Sequence, residues 1–441
     1  MMYLRHTSEQ IIIDGIIDPA WYQADSVAGF FQLTPFSGQD PSRPTVARLL
    51  TSDNSLYCLI ICYDGIDDIK QYTGKLDDFH GDFTSLMIDT FGDKRTAYKF
   101  AVNASGVRSD CRLLDDGRNR DYGWDGIWFA DAHVYDWGYV VEMEIPYKSI
   151  QYQEGLSAWG LDFDRWIPAS NEDIYWCRYE QNEGLRISKF GALVFDQFQP
   201  DIKGLNLELY PVALARASYE ADRKYDINPD LGIDLFYNPS SKLTFQLTAN
   251  PDFAQIEADP FEFNVSRYET YFEERRPFFT QGNEIFMASG KLRNSGFYSP
   301  LELFYSRRIG KRMPDGSQVP IQLGVKTFGR MNDWEYGGFL AATGETGYTD
   351  ENDLPQTEPQ AYYASARIKR QIMDNSSIGI LFVGKHTAEN DYGVLDIDGA
   401  FRNPNWQLAY QLAHSYANGS GDFAVAAGLT MQSKKWINFV R

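Results

Sequence analysis

Apolar and polar residues alternate with a period of two along almost the whole chain, in short runs separated by turns rich in Asp and Gly. A period of two sends successive side chains to opposite faces of a strand, whereas a helix repeats every 3.6 residues, and hardly any stretch here does. The pattern predicts an all-β chain. Runs rich in β-branched and aromatic residues span Thr45–Tyr63, Phe83–Asp89, Ala97–Asn103, Val134–Ile145 and Trp159–Arg165. Their spacing suits a two-sheet sandwich that ends near Phe190.

After about Leu205 the alternation changes character. Leu243, Phe245, Leu247 and Ala249 interleave with Lys242, Thr244, Gln246 and Thr248, and Trp406, Leu408, Tyr410 and Leu412 interleave with Gln407, Ala409, Gln411 and Ala413. Leu395, Ile397 and Gly399 alternate in the same way with Asp396 and Asp398. Strands of this kind, repeated in hairpins, suit a transmembrane barrel with lipid outside and a polar lumen; a large soluble antiparallel sheet is the alternative. The expected organisation is a sandwich over residues 1–200 and a partial barrel over 205–441. In "YFEERRPFF", Glu273, Glu274, Arg275 and Arg276 stand next to Pro277. Charges cannot face lipid cheaply and proline has no backbone donor, so a segment at about 250–285 is expected to turn inward or sit at the rim.

With 441 residues, 29 Phe, 28 Tyr and 10 Trp, the chain is long enough for two cores and rich in the residue types that strands and sugar-contacting surfaces use. Its formal charge of −20 makes nucleic acid an improbable partner, because so acidic a surface repels phosphate. The four cysteines, Cys58, Cys62, Cys111 and Cys177, indicate no disulfide framework, since Cys58 and Cys62 would stand too far apart on one extended strand. No apolar run is long enough for a spanning helix, and Met1–Gln10 lacks the order of a secretory signal, which taken literally means a cytoplasmic protein. The exported character of the second half instead suggests a mature form or a fragment.

The segment "NPDFAQIEADPFEFNVSRYETYFEERRPFF", Asn250–Phe279, resembles the hallmark of a bacterial outer-membrane family of unknown function common in Bacteroidetes (DUF5916-like). That family carries a domain similar to family 9 carbohydrate-binding modules before its barrel. "IDGIIDPAW" (Ile13–Trp21, within the run from Ile11), "DDFHGDFTSLMIDTFGD" (Asp77–Asp93), "VVEMEIPYKSI" (Val140–Ile150) and "WGLDFDRWIP" (Trp159–Pro168) agree with it. The resemblance implies an outer-membrane location, with the sandwich periplasmic or surface-exposed, a glycan or polysaccharide partner, lipid contact, and a role in polysaccharide uptake or catabolism. A carbohydrate-active hydrolase and a soluble adhesion protein are the alternatives.

Modules of that family stack pyranose rings on exposed aromatics, so Trp124, Trp128, Trp166 and Trp176 are the candidate ligand-binding residues. Trp124 and Trp128 lie in the loop-like "DYGWDGIWF". Trp124 is the better candidate, while Trp128 and Trp159 read as core or rim. Some related modules hold structural calcium, and Asp64, Asp67 and Asp68 in "YDGIDDIK" form a candidate site, with a solvated acidic loop as the alternative. No catalytic residue is assigned. The five histidines lack zinc-ligand spacing, and Glu142 and Glu144 share a strand face but read as part of a framework motif.

Overall fold

The computed structural model describes residues 1–196, 199–200, 206–219, 225–240, 242–251, 274, 276–290, 300–350, 353–373, 376–403, 406–432 and 437–440. The fold is all-β, as the alternation predicts, and helix among these residues is confined to single turns such as Pro277–Thr280. The chain divides into two compact units, one built on Met1–Gly204, the other on Leu205–Lys291 and Ser295–Gln432.

The first unit is two sheets face to face. One sheet orders Phe129–Tyr135, Gly138–Pro146, Ser55–Tyr63 and Thr45–Thr51 side by side, all antiparallel. The other orders Gly191–Phe195, Ala158–Ile167, Phe83–Asp89, Ala97–Asn103, Arg108–Leu114 and Asn119–Asp121, with Glu172–Tyr175 and Phe31–Thr34 extending it beside Ala158–Ile167. Met2–His6 belongs to both, because Met2–Leu4 runs parallel to Leu193–Phe195 and Arg5–His6 runs parallel to Leu50–Thr51. Alternate residues meet between the sheets: Leu49, Cys58, Ile60, Val141 and Met143 share a core with Leu86, Ile88, Phe100, Leu161 and Phe163. Each large apolar side chain buried there is worth about 1.5–3 kcal/mol, so the period-two pattern specifies which face turns inward.

The quoted sequence motifs turn out to hold one another. Glu142 lies on the outer face of its sheet beneath the segment that carries "IDGIIDPAW", and it accepts hydrogen bonds from Trp21 Nε1 (2.7 Å), Gly15 N (3.0 Å) and Asp14 N (3.2 Å). Trp21 packs beneath the same segment with Leu59, Ile61 and Val140. Glu144 accepts from Ser55 Oγ at 2.7 Å. Both glutamates are therefore framework residues, the reading their motif suggests.

Among the described residues the second unit's main sheet is an antiparallel meander of eleven strands in sequence order, with the hairpin of Thr346–Thr349 and Pro355–Glu358 standing outside it. The six central ones are Ile321–Met331, Trp334–Thr343, Ala361–Ile372, Ser376–Thr387, Asp391–Asn403 and Trp406–Ala417. Its two faces invert the usual arrangement of a soluble sheet. Gln246, Lys326, Glu335, Arg367, Asp396, Asp398 and Gln411 are buried, while Phe245, Leu340, Ile380, Leu395, Ile397, Leu408 and Leu412 are exposed. The polar face is covered by the protein itself: Lys326 Nζ donates to the carbonyls of Phe278 and Gln281, Asp398 accepts from Ser289 N at 2.8 Å, and Gln411 accepts from Leu301 N at 2.7 Å. Arg276, 3% exposed, pairs with Glu274 (2.7 Å) and donates to the carbonyls of Ser306 and Ile309. These two charges turn inward and are paired. Glu273, Arg275 and most of Asn250–Phe279 lie outside the described residues.

Candidate functional site

Two of the four candidate tryptophans are interior. Trp124 is 6% exposed and packs on Tyr98 and Phe100, with ring centroids 4.7 and 5.9 Å away. Trp128 is 3% exposed and donates from Nε1 to Asp110 Oδ2 at 2.7 Å. Neither ring face is open to a sugar, which corrects the expectation that Trp124 is the better ligand-binding candidate and places Trp128 in the core, the role its sequence reading favours over ligand binding. Their loop folds back over the apolar end of the sandwich, where two large rings bury more area than they could on the surface. Trp176 is half-buried against Phe163 (6.1 Å) and Gly191, whose missing side chain makes room for the indole. It lines the edge of the core.

The proposed calcium acids are also engaged otherwise. Asp64 is buried between Arg165 Nη2 (2.7 Å) and Arg43 Nε (3.0 Å), and Asp68 accepts from Arg43 Nη2 at 2.9 Å, while Asp67 is exposed on the adjoining turn. Two guanidinium groups already neutralise these carboxylates, and an added cation would have to displace them. Among the described residues no group of acids, histidines and cysteines is arranged to hold a metal ion. Arg165 also donates to Thr45 Oγ1 and the Tyr63 carbonyl, so the pair ties one sheet to the other.

Trp166 leads to a different surface. In "WGLDFDRWIP" the residues Trp159, Leu161 and Phe163 face the core, so Gly160, Asp162, Asp164 and Trp166 face the opposite side of the sheet. Register places Asp164 between Ser85 and Tyr175, and Trp166 between Phe83 and Asp173. Lys99 and Ser85 both donate to the Asp164 carboxylate. Tyr175 OH donates to Asp173 Oδ2 at 3.2 Å. The Lys99 ammonium lies 5.7 Å from the centre of the Phe83 ring, and Phe79 packs against Phe83 at 4.8 Å. Burial, followed by the charge of Asp164, pushes the Asp173 carboxyl up to about 6, and Arg120 lies near enough to oppose that shift.

The result is a floor of buried charged and polar groups, Ser85, Lys99, Asp164 and Tyr175, edged by the half-buried Phe83, Trp166, Asp173 and Arg120 and the exposed Tyr122. A pyranose needs two things: an aromatic or aliphatic face for its C–H groups, and firmly held donors and acceptors for its hydroxyls. The half-buried Trp166 and Phe83 offer the first and the half-buried Asp173 and Arg120 the second, and charged groups give the stronger class of hydrogen bond. The other half of the same sheet face is closed by Leu185 and Ile187, packed on Met87, Ala97 and Cys111.

Of the four tryptophans expected to bind ligand, only Trp166 reaches this surface. Lys99, Asp164, Asp173 and Arg120 were missed, although Asp162, Asp164 and Trp166 at alternate positions of one strand are a legible signal of a functional outer face. A second exposed aromatic group was missed too. Trp137 stacks on Tyr135 (4.8 Å, 10° between planes) and lies 5.5 Å from Tyr63, beside a hairpin turn.

Three solved structures are similar over 44–46% of the chain. Two are a family 9 carbohydrate-binding module from Caldicellulosiruptor kristjanssonii, in complex with cellotriose (16% identity, TM-score 0.33, covering 44% of this chain and 92% of that one) and with glucose (15%, 0.33, 46% and 100%). The third is a putative carbohydrate-binding protein from Bacteroides uniformis (9%, 0.34, 44% and 98%). No curated protein matches the chain. Residues 204–324 match the model of a family described as a domain of unknown function (DUF5916).

Proposed function

We propose that this chain is a glycan-binding protein whose second unit is part of an outer-membrane β-barrel and whose first unit recognises polysaccharide in the course of its uptake or breakdown. The glycan half rests on one observation: Trp166 and Phe83 stand in register, half-buried, at the edge of a sheet face beside Asp173 and Arg120, over a buried Lys99–Asp164 pair. Buried ion pairs are weak sources of stability, because desolvation offsets their attraction. The pair instead fixes the strand that carries Trp166 against the strands of Ser85 and Lys99.

The lipid half is supported by the inverted sheet. Leu340, Ile380, Leu395, Leu408 and Leu412 are exposed between Trp334 and Trp406 at one end of the strands and Tyr362 and Phe423 at the other. An apolar band between two aromatic rims is the arrangement that strands adopt in a bilayer. No described helix is long and apolar enough to cross a membrane.

The test is a glycan array probed with the full chain and with its Trp166→Ala and Trp137→Ala variants. The proposal expects hits that Trp166→Ala loses and Trp137→Ala keeps. Loss in Trp137→Ala alone would move the site to the hairpin, and an array without hits would overturn the glycan reading.

A further inference from the structure

The second unit contains a cavity of about 1240 Å³ between the polar face of its sheet and the chain around Glu302–Lys311. This exceeds the ~300–1,000 Å³ of pockets that take drug-sized ligands. Its wall comes from the same end of five successive strands, and Tyr363, Lys385, Tyr392, Ser415 and Asp422 point into it. The direction follows from register. Tyr392 has the parity of the buried Asp396 and Asp398, and pairing carries that parity to Lys385, then to Tyr363, and on the other side through Ser415 to Asp422. Arg308 reaches the cavity from the covering chain.

The chemistry of this lining narrows the ligand class. Lys385 and Lys311 both approach Glu358, at 3.6 and 3.1 Å, and Asp422 adds a further negative group, so the cations are largely balanced. A balanced lining does not select a phosphate or polyanion. Leu303, Phe304, Ile309, Val383 and Val394 give the lining apolar area as well, and the tyrosine hydroxyls, serine, ammonium and carboxylate set among it call for ligand hydroxyls, which an acyl chain lacks. Aromatic faces combined with donors and acceptors of both signs suit a ligand with C–H faces and many hydroxyls. We infer that the cavity is a second, separate saccharide site that takes a neutral oligosaccharide of several units. It does not depend on the sheet face of the first unit.

The experiment is calorimetric titration of the full chain carrying Trp166→Ala, which removes the first-unit site, with cellohexaose, maltohexaose, xylohexaose, chitohexaose and, as an anionic control, hexagalacturonate. The inference expects at least one neutral hexasaccharide to bind more tightly than hexagalacturonate. Adding Ser415→Trp, which fills the cavity, should weaken that binding tenfold or more with the melting temperature unchanged. If Ser415→Trp does not fold, Tyr392→Ala, which removes a ring at the mouth, should weaken it similarly. The inference is overturned if no neutral hexasaccharide outbinds the control, or if binding survives the cavity variant that folds. Equal affinity of the wild type and Trp166→Ala would count against the first-unit site and leave the cavity intact.

Discussion

Replacing Trp124 by alanine should unfold the first unit at lower temperature and leave its ligand contacts in place. The indole is 6% exposed and stacked against Tyr98 and Phe100, so its removal opens a void lined by rings that cannot collapse into it. Truncations of buried Trp or Phe cost about 3–5 kcal/mol. For a unit of some 200 residues, that loss corresponds to a fall in melting temperature of about 6–20 °C. Trp166→Ala removes a half-buried side chain at the edge of the sheet and should cost only about 1 kcal/mol of stability. It should lose about 1.5–3 kcal/mol of glycan affinity, the worth of burying one large apolar side chain. Melting followed by near-ultraviolet circular dichroism, with calorimetry below the transition, measures both. A Trp124→Ala protein that melts like wild type but no longer binds glycan would refute the reasoning.

Other consequences follow from the same contacts. Glu142→Ala leaves the Trp21 indole N–H and the amides of Asp14 and Gly15 without their acceptor, and should destabilise the first unit by about 2–5 kcal/mol without abolishing glycan binding, as chemical denaturation would show. Burial pushes the carboxyls of Glu142 and Asp110 up to about 7 and that of Asp82 to about 6. The folded state therefore holds more protons than the unfolded state between about pH 4 and 7, and melting at pH 5 should occur above melting at pH 8. If the Asp173 carboxylate accepts a sugar hydroxyl, affinity should fall as pH drops below about 6, which calorimetry across pH 5–8 would detect. Arg276→Ala strands the Glu274 carboxylate and removes two carbonyl contacts, so the heat-modifiable gel mobility of the assembled second unit should be lost.

The alternation told strand from helix, most clearly in the second unit, where one face of each strand is buried and the other exposed, whereas first-unit strands such as Ala97–Asn103 are buried on both faces. Pairing across distance was less legible. Met2–His6 joins both sheets of the first unit by parallel pairing, and nothing in its five residues announces that role. Burial of Trp124 was hidden for a physical reason: glycine and aspartate around it signal a loop, and a loop that folds over the end of a sandwich can bury its aromatics as fully as a strand does. Asp64 and Asp68 look like a cation site until Arg43 and Arg165, from other parts of the chain, are seen to occupy them. The acids and tryptophan of "WGLDFDRWIP" were legible as an alternating outer face, but Lys99 and Arg120 enter that face only through register with neighbouring strands.

Hydrogen exchange of the full chain, with and without the tightest array ligand bound, tests the central claim most directly. Protection should concentrate in Phe83–Asp89, Ala97–Asn103, Ala158–Ile167 and Glu172–Tyr175, the strands that carry Lys99, Asp164, Trp166 and Asp173. Protection in the first unit confined to the Tyr135–Gly138 hairpin, with those four strands exchanging as they do without ligand, would contradict it.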